Sequence, residues 1–160
     1  MATKSINLLK KSIYSLLSSD STLQTLLTKP NRVHYRDIPT AAAFPCVTYE
    51  IVTDTDNPFD ESTVTGEVTQ SVVYVNIFSI STGYTESDNI EAQIKALLHG
   101  KNSSLTNTEI LCYSCLRTGI RSQRLDVDYR TRITSIEYRI RWASKPLVSK
   151  SATMKAHVHL

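Results

Sequence analysis

Apolar and polar positions change period several times along the chain, and each change marks an element. Ile6, Leu9, Ile13, Leu16 and Leu17 recur at helical spacing, with Asn7, Lys10, Lys11 and Ser15 between them, which predicts an amphipathic helix over 4–18. Leu23, Leu26 and Leu27 predict a second short helix over 22–28, closed by Lys29-Pro30-Asn31 because proline cannot continue it. Arg32-Val33-His34-Tyr35 reads as a short strand, and TAAAFP (40–45) reads as a loop. From Cys46 to Thr53 the period is two: Val47, Tyr49 and Ile51 oppose Thr48 and Glu50, the signature of a half-buried strand.

The chain is organised around Thr69 to Gly100. Its strand, Glu67 to Ile80, is apolar on both sides: Val72, Tyr74, Phe78 and Ile80 (with Asn76) on one, Val73, Val75 and Ile77 on the other. Such a strand is covered on both faces or keeps one face for an interface; the expectation is that Val73, Val75 and Ile77 need a cover beyond the chain itself. After Thr82-Gly83 a helix follows, with Thr85 as N-cap and Asp88 three residues on, a variant of the capping box. Ile90, Ile94, Leu97 and Leu98 form its apolar stripe, and Gly100 suits the left-handed position after the C-terminus. A polar loop (102–108) leads to a strand over 109–116 and an irregular stretch over 117–129. In the last strand, 130–142, Ile136, Tyr138, Ile140 and Trp142 oppose Glu137, Arg139 and Arg141. The pattern predicts one α+β domain: a mainly antiparallel sheet packed by an N-terminal helix and a central helix over 1–143, then an extended arm or tail over 144–160.

Composition adds limits. The chain has 160 residues, 41% of them hydrophobic, enough for a core. No apolar run reaches the roughly 18 residues of a membrane span, so no membrane partner is expected. Three cysteines form no disulfide framework. Cys112 and Cys115 are spaced as CxxC, but i and i+3 on a strand point to opposite faces, so they are not expected to share a metal. Asp54 to Gly66 is acidic and turn-rich and predicts a loop or long hairpin tip. Asp54, Asp56 and Asp60 imitate the start of a calcium loop. Phe59 stands where that loop needs glycine and Thr65 where it needs glutamate, so no calcium is expected. His157 and His159 form HxH without a third ligand in view. There is no Gly-rich phosphate loop, no GxSxG and no nucleophile–histidine constellation. Neither enzyme activity, nor a cofactor, nor a metal is expected.

The net charge of +3 is unevenly distributed. Residues 1–53 carry +3, residues 54–98 carry −7, and residues 99–160 carry +7. Two such blocks can pair within a chain or head to tail between copies. Arg117, Arg121, Arg124, Arg130, Arg132, Arg139 and Arg141 crowd the last third, with little aromatic interleaving. A nucleic-acid-binding module using these arginine-rich strands is the competing reading, and a small metal protein or enzyme is the third.

The order RVHY, AAAFPCVTYE, an acidic loop, SVVYVNIFSISTGYTESDNIEAQIKALL and RTRITSIEYRIRW resembles the tail terminator (tail completion) proteins of long-tailed bacteriophages. The resemblance covers about residues 5–143. Ala43, Phe44, Pro45, Val47 and Tyr49 hold its A-x-F-P-x-V-x-Y segment. Ile77, Phe78, Ser79 and Gly83 hold the end of its central strand, Leu97 and Leu98 the end of its helix, and Tyr138 and Trp142 the aromatic close. It implies an α+β fold and a structural virion protein without catalysis, assembled in the host cytoplasm and located in the neck of the tail. In that role six copies form a ring on the last ring of tail tube protein, stop tube growth and offer the surface to which the head docks. The implied partners are the chain itself, the tail tube protein, a head-completion or connector protein, and DNA passing through the lumen without sequence recognition. Another neck component, such as a head-completion or connector protein, is a near alternative. Joined to the charge blocks, the ring suggests Asp54, Asp56, Asp60 and Glu61 of one copy against Arg139 and Arg141 of the next.

Overall fold

The period-two pattern carries further than its polar residues suggest. In the computed structural model, which describes residues 6–29, 31–57 and 68–145, nine elements follow one another. They are α1 (Ile6–Ser19), α2 (Ser21–Leu26), β1 (Val33–Tyr35), β2 (Cys46–Asn57), β3 (Val68–Ser79), α3 (Thr85–Leu98), α4 (Asn102–Leu105), β4 (Ile110–Asp126) and β5 (Thr131–Ser144). The strands form one sheet in the order β1-β2-β3-β5-β4. β1 lies parallel to β2, and the other pairs are antiparallel. The expected α+β class with a mainly antiparallel sheet is what forms. The segment expected to be an arm or tail lies outside the described residues beyond Lys145.

The helices pack on one side of the sheet. Leu9, Ile13 and Leu17 of α1, Leu23 of α2 and Ile90, Ile94 and Leu98 of α3 are fully or almost fully buried. Beneath them lie Val47 and Tyr49 of β2, Val73, Val75 and Ile77 of β3, and Ile136, Tyr138, Ile140 and Trp142 of β5. Burying each such aliphatic side chain is worth about 2 kcal/mol, so this layer holds the domain together. The expectation for β3 is corrected here. Val73, Val75 and Ile77 are completely covered by the chain's own helices. The side left half-open carries Val72, Tyr74, Asn76 and Phe78.

Four element boundaries also differ from the sequence reading. Asp54 and Asp56, expected in a loop, belong to β2: Thr53 to Asn57 stay in register with Val72 to Val68 after a bulge between Ile51 and Thr53. The ladder to β3 overrides the turn preference of the aspartates. The irregular stretch after Leu116 is one continuous strand, β4, whose register shifts between Arg117 and Arg121. Gly119, at φ 93°, takes the left-handed conformation that such a bulge requires. Inside the loop expected over 102–108, the short α4 buries Leu105 completely. At α3, Thr85 is the first helical residue rather than the cap; the N-cap position is Tyr84, with no side-chain capping bond. Gly100 has the left-handed φ, 70°, expected after a helix end.

The bulge between Cys112 and Ser114 corrects the cysteine reading. Cys112 lies opposite Trp142 and Cys115 opposite Ile140, so both thiols face the core instead of opposite sides. Both are buried, as is Cys46, and all three are free. Burial raises the Cys46 and Cys112 thiols to about 11 and the Tyr49 phenol to about 12, and raises Cys115 as well. A folded-state pKa above the unfolded one means that the unfolded chain releases its proton first. Stability is then full below the ordinary thiol value of 9.0 and declines as the pH rises through about 11. Denaturant midpoints measured between pH 7 and pH 11 should fall only above pH 9, and thiol reagents should label native protein far more slowly than unfolded protein.

Candidate assembly interface

Charge near α3 is satisfied within the chain. Glu91 falls on the buried stripe of α3 with Ser87, Ile94 and Leu98. Its carboxylate accepts from Arg121 Nε at 2.9 and 2.8 Å and from the Arg121 terminal nitrogen at 2.7 Å, and pairs with Arg117 at 2.9 Å. Only 9% of the Glu91 side chain is exposed. Asp88, one turn earlier, takes Arg121 at 3.3 Å and accepts from Gln123 Nε2 at 2.8 Å. The hydrogen bonds to Glu91 raise the Arg121 pKa further above its ordinary range. Part of the acidic block and part of the basic block thus neutralise one another and dock α3 on β4.

The open side of the sheet is built differently. Glu50, Tyr74 and Glu137 lie side by side across β2, β3 and β5. A hydrogen bond to Glu137 raises the Tyr74 pKa, and the charges of Glu137 and Glu50 add to it. A polar row follows: Ser135 Oγ donates to Asn76 Oδ1 at 2.6 Å, and Asn76 Nδ2 donates to Thr48 Oγ1 at 3.3 Å. Toward the β4–β5 turn the surface becomes apolar. Pro39, Phe44, Phe78, Ile80, Tyr129 and Ile133 line a recess of about 640 Å³. Val127 and Tyr129 at the turn are 75% and 79% exposed.

Of the six contact residues expected from sequence, those whose side chains are described fall on both sides of the sheet. Asp54 sits on the helix side of β2, accepting from Ser71 Oγ at 2.5 Å; Ser71 in turn accepts from the buried Trp142 Nε1 at 2.9 Å. Asp56 lies opposite Thr69 on the same strand. Asp60 and Glu61 lie outside the described residues. Arg139 and Arg141 are on the open side, opposite Val72 and Gln70 of β3 and Leu116 and Ser114 of β4. Within one chain, therefore, Asp54 does not meet either arginine. The pairing of Glu91 with Arg117 and Arg121 was missed. Its sequence signal is an acid standing at helical spacing among buried positions. Among the described residues no cluster of three or more His, Cys, Asp or Glu could hold a metal ion, and no helix is long and apolar enough to cross a membrane. His157 and His159 lie outside the described residues.

The sheet thus has a covered helix side, a half-open side and an exposed apolar turn. Residues 11–143 match the family described as Tail completion protein gp17. The chain belongs to this family. It is a structural tail-completion protein. A chain from the virion of a native gene transfer agent (GTA) particle has the same fold. It superposes at a TM-score of 0.63 with 16% identity, covering 86% of this chain and 95% of that one. A second solved chain superposes at 0.53 with 12% identity over 90% of this chain and 98% of its own length. No curated protein matches.

Replacing Glu91 with alanine removes the shared partner of two guanidinium groups. Breaking a buried ion pair on one side costs roughly 3–5 kcal/mol; because Arg117 and Arg121 are 20% and 32% exposed, a loss of about 2–3 kcal/mol is expected. Glu91→Gln should lose less. Urea midpoints at constant slope would check this.

Proposed function

We propose that this tail-completion protein closes the head-proximal end of the tail tube as a ring of six copies. Seated on the last ring of tube protein, it ends tube growth and gives the head, through a head-completion or connector protein, a surface on which to dock. DNA passes through the lumen without sequence recognition, and the protein catalyses nothing. It acts in the neck region after assembly in the host cytoplasm. Residues 1–143 form the ring body, with 144–160 as an arm. The observation that carries the reading is the family match over 11–143, joined to acidic and basic regions at different places on the surface that suit a head-to-tail contact closing on itself.

At that contact the acidic set of one copy, Asp54, Asp56, Asp60 and Glu61, faces Arg139 and Arg141 of the next. Opposite charge here favours encounter and register more than raw affinity. A nucleic-acid-binding role is weakened because Arg117 and Arg121 are already held by Glu91.

Light scattering with and without purified tail tubes tests the reading. The expected result is a mass six times that of the 18.0 kDa chain, alone or on tube ends, and tubes that no longer elongate. Arg139→Glu with Arg141→Glu should raise the concentration needed for assembly about tenfold or more. A strict monomer that neither assembles nor caps tubes would sink the ring.

A further inference from the structure

The sheet has two edges, and both are only half covered. Along β4 the connection from α3 occupies the outer backbone of the first half. Gly100 N donates to Cys115 O at 2.7 Å, Arg117 N to His99 Nδ1 at 3.0 Å, Cys112 N to Thr106 Oγ1 at 3.0 Å and Asn107 N to Ile110 O at 3.0 Å. After the bulge nothing among the described residues takes the outer backbone of Arg121–Asp126. Along β2 the cover is β1 and its flanks: Val47 N donates to Arg32 O at 2.8 Å, Arg36 N to Tyr49 O at 2.9 Å and Ile51 N to the Tyr35 hydroxyl at 3.4 Å. After the bulge at Val52 the outer backbone of Thr53–Asn57 is likewise without a partner among the described residues.

The alternation of an antiparallel ladder identifies the groups that point outward. Arg117 and Cys115 use their outer groups opposite Tyr138 and Ile140. Every second position of β5 therefore bonds to β3, and Arg121, Gln123 and Leu125, opposite Ile136, Thr134 and Arg132, present N–H and C=O to the outside. On β2, Val47, Tyr49 and Ile51 face outward opposite Ile77, Val75 and Val73; beyond the bulge, Asp54 and Asp56 do so opposite Ser71 and Thr69. The side chains of Asp54, Arg121, Gln123 and Leu125 lie on the helix side of the sheet. Among the described residues, one open edge thus carries Asp54 and Asp56 in sequence and the other Arg121, Gln123 and Leu125.

We infer that neighbouring copies join by strand addition, Thr53–Asn57 of β2 in one copy pairing with Arg121–Asp126 of β4 in the next. The inference rests on the ring reading and specifies a joint in which Asp54 lies against the β4 edge of the next copy instead of against Arg139 and Arg141. The occupant is a second copy because the two edges are of similar length, lie at opposite margins of the sheet and are opposite in charge. Long open edges are a liability that proteins otherwise blunt, and here each is blunted by a bulge and local cover everywhere except on the matching segments. The segments are also offset. Thr55 stands opposite Gln70, while Gln123 is in register, through Thr134 and Ile77, with Val47, eight positions earlier on β2. That is a stagger of roughly 25 Å per copy, and stagger of this kind inclines strands to the axis when a sheet closes on itself.

Residue-resolved amide hydrogen exchange, on the full chain as monomer and as ring or tube cap, tests the joint. The amides of Asp54, Asp56, Arg121, Gln123 and Leu125 should exchange rapidly in the monomer and at least about 100-fold more slowly in the assembly. Leu125→Pro, which removes an outward N–H and leaves the bonds to β5 in place, should fold and stay monomeric, whereas Leu125→Ala should assemble. A ring whose five amides exchange as in the monomer, or one that forms normally with Leu125→Pro, overturns strand addition and leaves the ring standing. A protein that never assembles, with or without tubes, overturns both.

Discussion

Glu91 decides what the rest of the surface has left to offer. A carboxylate brought into a helix–sheet layer must find cations or lose far more hydration than a single contact returns. It finds two, Arg117 and Arg121, on either side of the β4 bulge. The clamp docks α3 onto β4, helps hold the bulge at Gly119, and withdraws two arginines from any contact that needs bare positive charge. The domain then presents an apolar turn, a polar open side and two half-covered edges.

These features share a cause in the sheet order. Because β5 inserts between β3 and β4, the longest strand, β4, is left at an edge. The chain covers half of it with the segment that returns from α3, the same segment in which His99, Gly100 and Thr106 supply backbone partners. On the far margin β1 has only three residues and covers a similar share of β2. A small domain so arranged is self-sufficient in its core and, among the described residues, open along part of both margins.

Reading the chain alone recovers α1, α2 and α3, the inward face of β5 and the apolar stripe of α3, since each depends on a local period, but not the short α4. The Val73, Val75 and Ile77 face of β3 was assigned to an outside cover because no local signal says that α1 and α3 land on the same side. Asp54 and Asp56 looked like loop residues because aspartate prefers turns; pairing with Ser71 and Thr69 made them strand. The contact residues were legible only as charge. That Asp54 is bonded to Ser71 on one side of the sheet, while Arg139 and Arg141 sit on the other, depends on register.

By itself the sequence determined the periods: which residues alternate, which repeat at helical spacing, where proline and glycine interrupt, and how charge divides into blocks. Tertiary structure alone decided how those elements share a sheet. Bulges at Val52, near Cys112 and at Gly119 each shift the facing of everything beyond them, so a pattern of period two cannot foretell on which side Cys115, Asp54 or Arg121 will lie. Pairing partners far apart in the chain set register, and register set which charges meet inside the domain and which backbone groups remain open at its edges.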